Sequence, residues 1–280
     1  METKIIDGTM IAGQIKDELK EKVEALKGQG IIPGLAVVLV GDNSASKVYV
    51  GNKKKACEYV GIKSFSYELP EMTSEESILE LIDALNQDEK VHGILVQLPL
   101  PRHMDEQKII KAIAPHKDVD GFHVENAGAL LVGAPGFVSC TPAGIMELLK
   151  RYEVSLTGKK CIVIGRSNIV GKPISLLLLQ ENATVTMCHS KTENLKQEIK
   201  QADVVVVAVG VAKMVKGDML KEGAIVIDVG MNRDEDGKLC GDVDFDSCQG
   251  IASLITPVPK GVGPMTIAML MHNCVLAARN

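Results

Sequence analysis

Hydrophobic residues recur at helical spacing near the start of the chain: Ile11, Ile15, Leu19, Val23 and Leu26, with lysines and glutamates between them. That period predicts an amphipathic helix with one face on a core. The pattern then changes. Gly34-Leu35-Ala36-Val37-Val38-Leu39-Val40-Gly41 has no polar alternation and reads as a strand buried on both faces. Asp42-Asn43-Ser44 supplies turn and cap chemistry ahead of a helix predicted from about Ser46 to Tyr59. Thr73-Ser74-Glu75-Glu76 opens another helix, running to about Leu85. Gly93-Ile94-Leu95-Val96-Gln97-Leu98 is a second buried strand, stopped by Pro99 and Pro101.

Residues 115–142 are rich in Gly and Pro and read as an irregular connection between domains. A helix is predicted from about Ala143 to Tyr152. Four short β-branched runs follow: Cys161–Gly165, Thr184–Met187, Val204–Val209 and Ala224–Val229, separated by helical or loop segments. Alternation of this kind predicts a parallel sheet with crossover helices, so the fold class is α/β. Asp236-Gly237 signals a hairpin turn, and a last helix is expected from Pro264 to about Ala278.

Composition narrows the classes. The 280 residues carry 31 Lys+Arg and 36 Asp+Glu, a formal charge of -5, which argues against a nucleic-acid binder carried by net charge. Aromatics are only 3% and Trp is absent, so stacking on single strands has little to work with and the core must be aliphatic. The 7 cysteines form no Cys-x-x-Cys, which disfavours zinc or disulfide frameworks and suits a reducing compartment. Met1–Lys4 leads into mixed charge rather than a signal-peptide core, and the nearly apolar run Ala202–Ala212 is too short to span a bilayer. A soluble cytoplasmic protein, away from membranes, is expected.

The strand at 161–165 runs into Gly165-Arg166-Ser167-Asn168-Ile169-Val170-Gly171-Lys172-Pro173, with a helix expected near Gly171. Glycines and a serine at a strand-to-helix turn suit a phosphate that meets free N–H groups and the positive end of a helix dipole. The spacing is not Gly-x-Gly-x-x-Gly, so a plain tight turn stays open on this motif alone. An NAD site places an acid at the end of the next strand, but here Met187-Cys188-His189-Ser190-Lys191 has none. Arg166, Ser190 and Lys191 suit a 2′-phosphate instead, which favours NADP over NAD. Strand capping by the same residues is the alternative.

On the helix predicted after Ser46, positions 49, 53, 56 and 60 share a face: Tyr49, Lys53, Ala56 and Val60. Lys54 and Lys55 point elsewhere. A lone lysine there would normally run its stem outward to water. Tyr49 one turn earlier favours a cleft wall, where a desolvated amine can serve as a base. Gln97, inside a buried strand, must find a hydrogen bond, to Lys53 or a ligand or within the scaffold. Lys117-Asp118-Val119-Asp120-Gly121 offers two carboxylates to a heterocycle, although solvated loop acids are the better reading of those residues alone. The stiff loop Pro257–Thr266 suits a backbone held near a ligand or a plain helix entry. His189-Ser190 with Asp228 lacks a Gly-x-Ser-x-Gly elbow, and no His-x-x-x-His pair occurs among 6 histidines. Neither a hydrolase triad nor a metal site is expected.

Over essentially its whole length the chain resembles the bifunctional methylenetetrahydrofolate dehydrogenase/cyclohydrolase family. The most specific stretches are Val96–Pro101, Lys117–Gly121, Gly165–Ser167 through Val170-Gly171, and Ile255–Pro259 through Gly261–Thr266. The resemblance implies two reactions: oxidation of 5,10-methylenetetrahydrofolate by NADP+, then hydrolysis of the methenyl cation to 10-formyltetrahydrofolate. The family's Tyr-x-x-x-Lys falls on Tyr49, to stack on the folate, and Lys53, to assist water attack and proton transfer. Gln97 would hydrogen-bond Lys53, and Asp120 would anchor the pterin. Leu98, Pro99, Pro259, Gly261, Val262 and Gly263 would line the folate side, and Gly165, Arg166, Ser167, Ser190 and Met231 would touch the cofactor. The family usually has Gly at Lys260 and Ile at Met231. The resemblance further implies a homodimer formed through a Rossmann-like NADP domain (139–263), with a folate-binding catalytic domain at 1–138 rejoined by the last helix at 264–280. Rival readings are another NADP-dependent dehydrogenase, acting on a small polar acid, and a non-catalytic nucleotide sensor; Tyr49, Lys53 and Gln97 are superfluous to either.

Overall fold

The computed structural model describes residues 2–279. The chain opens with β1 (Lys4–Ile5) and α1 (Gly8–Gly28), then β2 (Gly34–Val40), α2 (Ser44–Val60), β3 (Lys63–Leu69), α3 (Glu75–Gln87), β4 (Gly93–Val96), α4 (Glu106–Ala112) and α5 (Val124–Val132). It continues through α6 (Cys140–Arg151), β5 (Lys160–Ile164), α7 (Gly171–Gln180), β6 (Thr184–Cys188), α8 (Leu195–Lys200), β7 (Val204–Val207) and β8 (Ile225–Asp228). It closes with β9 (Asn232–Arg233), β10 (Leu239–Cys240), α9 (Phe245–Cys248), β11 (Leu254–Ile255) and α10 (Val262–Ala277). Two compact units result. One holds Gly13–Cys140 and the stretch from Ile267 onward; the other holds the residues up to Ala12 and Thr141–Thr266.

The first unit is built on a three-stranded parallel sheet in the order β3-β2-β4. Every residue of β2 is buried, as its unbroken apolar run requires. Ile78, Ile82 and Leu85 of α3 and Ile109 of α4 share a core with Ala36, Val38, Ile94 and Val96. Each such valine, leucine or isoleucine side chain contributes about 1.5–3 kcal/mol on leaving water. β3 pairs with β2 alone, and its residues are exposed or half-buried. An edge strand of this kind has no sustained apolar run, which is why the hydrophobic pattern does not reveal it.

The second unit carries six strands in the order β1-β11-β8-β7-β5-β6, every pair parallel. From β5 the chain passes to β6 on one side and then returns to β7 on the other. The crevice beyond the carboxyl ends of β5 and β7 is thus at the reversal point of the strand order, where doubly wound sheets bind ligands. Asp236-Gly237 lies in the turn between β9 and β10, which pair antiparallel.

Two boundaries differ from the sequence expectation. Residues 2–12 do not go with residues up to 138: Lys4 N–H donates to Ser253 O (2.9 Å) and Ile6 N–H to Ile255 O (2.8 Å), which makes β1 part of the later sheet. A two-residue strand held by so distant a partner leaves no local pattern. Nor is 115–142 wholly irregular, because α5 lies within it. The His123 side chain accepts from Glu125 N–H at the start of α5, and Gly133 ends it at φ 70. Among the described residues, no helix is long and apolar enough to cross a membrane.

Gly128 lies in the interior of α5, exposed, with open space where a Cβ would stand. Gly128→Ala should raise the urea midpoint, worth roughly 0.5–1 kcal/mol. In Gly241→Ala the new Cβ would overlap the carboxylate of Asp228, and the midpoint should fall by the equivalent of about 2–4 kcal/mol. Paired urea titrations of the two variants check both signs.

Candidate active site

α2 begins where the sequence places its cap: the Asn43 side chain accepts from Ser46 N–H (3.1 Å), and Gly61 closes the helix in the left-handed region. Its inward face is the predicted one, with Ala56 and Val60 buried and Tyr49 half-buried, while Lys54 and Lys55 are exposed. Lys53 on that face is only 7% exposed, so its stem does not run out to solvent. Its Nζ donates to Gln97 Oε1 at 3.0 Å. Burial raises the Tyr49 phenol above its ordinary value.

Gln97 follows the last residue of β4 rather than lying inside the strand, and it is half-buried. Its backbone N–H continues the ladder to Val38 O (2.8 Å), and its Nε2 donates to Leu98 O (2.8 Å). The amide is thereby oriented, with its oxygen turned to Lys53. Leu98 is half-buried, Pro99 is exposed, and the peptide between them is cis.

The Lys117–Gly121 turn divides its charges between scaffold and site. Lys117 Nζ donates to Leu85 O (3.1 Å) and Asp88 O (2.8 Å), capping the carboxyl end of α3. Asp118 Oδ2 accepts from His123 N–H (2.7 Å) and Asn126 Nδ2 (2.9 Å). Asp120 alone of the three is half-buried, and its carboxyl feels the charge of Lys53. Burial pushes its carboxyl above the ordinary aspartate value; Lys53 opposes the shift and Asp118 adds to it. Two residues outside the sequence reading complete this turn. Cys140 Sγ lies 3.3 Å from Val119 O and within hydrogen-bonding reach of Asp120. Asn273, 5% exposed in α10, donates to Val119 O (2.9 Å) and Val138 O (3.1 Å). The signal for Asn273 was present: it is a buried-helix amide flanked by Met269, Leu270, Met271, Cys274 and Val275.

In the second unit, Gly165 follows β5 at φ 123, where a Cβ would overlap Ala208 O. Only glycine allows the turn after β5 to approach the end of β7 this closely. Ser167 Oγ accepts from Val170 N–H (3.1 Å) and Gly171 N–H (3.2 Å), which leaves its own proton free to be donated. Arg166, Ser190, Lys191 and Met231 are exposed. The turn, the serine donor and the exposed cations fit a dinucleotide phosphate at the start of α7. His189 Nδ1 accepts from Lys191 N–H (3.1 Å), and the Asp228 carboxylate accepts from the backbone N–H groups of Gly230, Asp242 and Val243, so the two form no triad with Ser190. Lys260 is exposed at φ 84, a conformation that suits the glycine usual there. Pro259 is exposed, Gly261 and Val262 are buried, and Gly263 is half-buried at the start of α10. Among the described residues, no group of three or more His, Cys, Asp or Glu could hold a metal ion.

A lysine–amide–carboxylate cluster on one α/β unit, and a phosphate-type turn on a doubly wound second one, define a two-domain nucleotide-dependent α/β enzyme. The chain belongs to the tetrahydrofolate dehydrogenase/cyclohydrolase family: the family's catalytic-domain model matches residues 6–120, and its NAD(P)-binding-domain model matches residues 139–280. The bifunctional protein FolD of Agathobacter rectalis is 62% identical over 275 residues, covering 98% of this chain and 99% of that protein. The crystal structure of the bifunctional FolD methylenetetrahydrofolate dehydrogenase/cyclohydrolase from Campylobacter jejuni superposes with a TM-score of 0.98 at 53% identity, over 99% of each chain. The Trypanosoma brucei FolD enzyme, complexed with NADP and an inhibitor, gives 0.95 at 39% identity, over 100% of this chain and 98% of that one.

The raised Asp120 carboxyl favours its protonated form in the folded state, so its ionisation costs stability as pH rises through the folded value. Asp120→Asn removes that cost. The variant should melt higher than the parent at neutral pH, with the difference fading in acid; thermal melts across the pH range check this, and a lower neutral melting point contradicts it.

Proposed function

We propose that this chain oxidises 5,10-methylenetetrahydrofolate to the 5,10-methenyl cation with NADP+ and hydrolyses that cation to 10-formyltetrahydrofolate, serving one-carbon metabolism. What supports the reading most directly is the buried Lys53 amine, 3.0 Å from Gln97 Oε1 and electrostatically coupled to Asp120. Hydride transfer alone has no use for a buried amine held by an amide. Hydrolysis does: water adds to the methenyl carbon, gives up a proton, and the carbon–N5 bond opens to leave the formyl group on N10.

In this reading Lys53 assists the water attack and carries the proton, while Gln97 holds the Nζ in place. Tyr49 stacks on the pteridine, and Asp120 binds the donors of its ring. Leu98 and Pro99, and later in the chain Pro259, Gly261, Val262 and Gly263, are the further substrate contacts. NADP+, when bound, supplies the hydride acceptor. Gly165 and Ser167 receive its phosphates, Arg166 and Ser190 its 2′-phosphate, and Met231 keeps an apolar contact where the family usually has Ile. The same reading has the enzyme work in the cytoplasm as a homodimer paired through the NADP domain; the seven free cysteines, six of them buried, suit a reducing compartment.

In Lys53→Met, methenyl hydrolysis should fall by roughly 10²–10⁴-fold with NADP affinity nearly unchanged. Following methenyl decay by its absorbance tests this, and undiminished hydrolysis removes Lys53 from its role. Arg166→Ala should erase most of the preference for NADP over NAD in dehydrogenase kcat/KM; an unaltered ratio counts against the 2′-phosphate assignment.

A further inference from the structure

Two buried aspartates in the six-stranded unit lie outside every residue assigned so far. Asp242 is fully buried, and its carboxylate accepts four hydrogen bonds. Val209 N–H (2.7 Å) and Gly210 N–H (3.0 Å) reach Oδ2, while Val211 N–H (2.9 Å) and Asn232 Nδ2 (2.8 Å) reach Oδ1. Asp228, the last residue of β8, holds the backbone beside it: its Oδ1 accepts from Gly230 N–H and Asp242 N–H and its Oδ2 from Val243 N–H, each at 2.9 Å. Burial pushes the Asp228 carboxyl up to about 6, against the pull of those three donors toward the charged form.

Four donors saturate the acceptor capacity of a carboxylate, which is what a fully buried one needs. An ordinary surface loop does not need such an anchor. The segments that Asp242 ties down are the loops leaving β7 and β8, on the carboxyl edge of the sheet. Each presents an exposed apolar side chain: Val211 at 50% and Met231 at 50%. Exposed apolar side chains on hydrogen-bonded loops suit a planar ligand ring.

We propose that Asp242 is a positioning residue for the dinucleotide: its four accepted hydrogen bonds set the Val209–Val211 and Gly230–Asn232 loops so that Val211 and Met231 present an apolar surface to the cofactor's ring. This rests on the reading that the carboxyl edge of this sheet receives NADP. Asp242 acts on cofactor binding and touches none of the Lys53, Gln97 and Asp120 side chains assigned to the hydrolysis.

The test uses Asp242→Asn, whose amide N–H groups would oppose backbone N–H donors, and Asn232→Ala, which deletes a single donor. NADP affinity is measured by calorimetry, amide exchange at Val209–Val211 without cofactor, and methenyl hydrolysis without NADP. For Asp242→Asn, NADP Kd should rise about tenfold or more, the scale of a lost hydrogen bond to a charge. The three amides should exchange faster, and hydrolysis should stay within about twofold of the parent. Asn232→Ala should raise Kd by about threefold. A Kd within about twofold of the parent in both variants overturns the proposal. If Asp242→Asn loses hydrolysis too, it has misfolded, and Asn232→Ala decides alone. Arg166→Ala separates the two layers: if it leaves NADP affinity untouched, the location of the cofactor site fails; if it weakens binding while the Asp242 and Asn232 variants do not, only the positioning role fails.

Discussion

Burying an amine is costly unless it finds a partner, and the first unit is arranged around meeting that requirement for Lys53. The partner is an amide, not a carboxylate in direct contact. Gln97 offers Oε1 at 3.0 Å because its other end is committed to Leu98 O and its backbone to Val38. The lysine is therefore held without being locked into an ion pair. Asp120 stands close enough to feel the amine, and its own burial raises its carboxyl. Amide and amine are thus tied by a hydrogen bond, and the acid joins them through its electrostatic interaction with the amine.

The second unit solves a different problem by related means. A sheet of parallel strands buries its valines and leaves its carboxyl-end loops to be organised by something else. Here Gly165 allows the turn after β5 close to the end of β7, and Ser167 satisfies two N–H groups at the start of α7. Two buried carboxylates gather the loops after β7 and β8. Backbone donors met by side-chain oxygens recur at each point, so the edge of the sheet has its N–H groups satisfied without carrying regular structure.

Much of this was legible locally. The face of Tyr49, Lys53, Ala56 and Val60 follows from helical period, and β2 and β7 follow from unbroken apolar runs. The Asn43 cap was readable from three residues. β3 was not, because an edge strand buries too little to impose a pattern, and α5 was hidden by Gly128, which the helix tolerates, among glycine- and proline-rich neighbours. Of the Lys117–Gly121 charges, the residue types alone could not say which served the scaffold.

By itself the sequence determined the α/β class, the order of the principal elements, the inward face of α2 and, through resemblance, the family. The Gln97–Lys53 contact across 44 positions, implied by the resemblance, took its geometry from the tertiary structure, and only that structure decided that Asp118 is committed to the scaffold, that β1 completes the later sheet, and that Asp242 gathers two loops. The reason is physical. Periodicity records which face of an element is buried, whereas pairing between polar groups depends on distances that exist only once distant segments are packed.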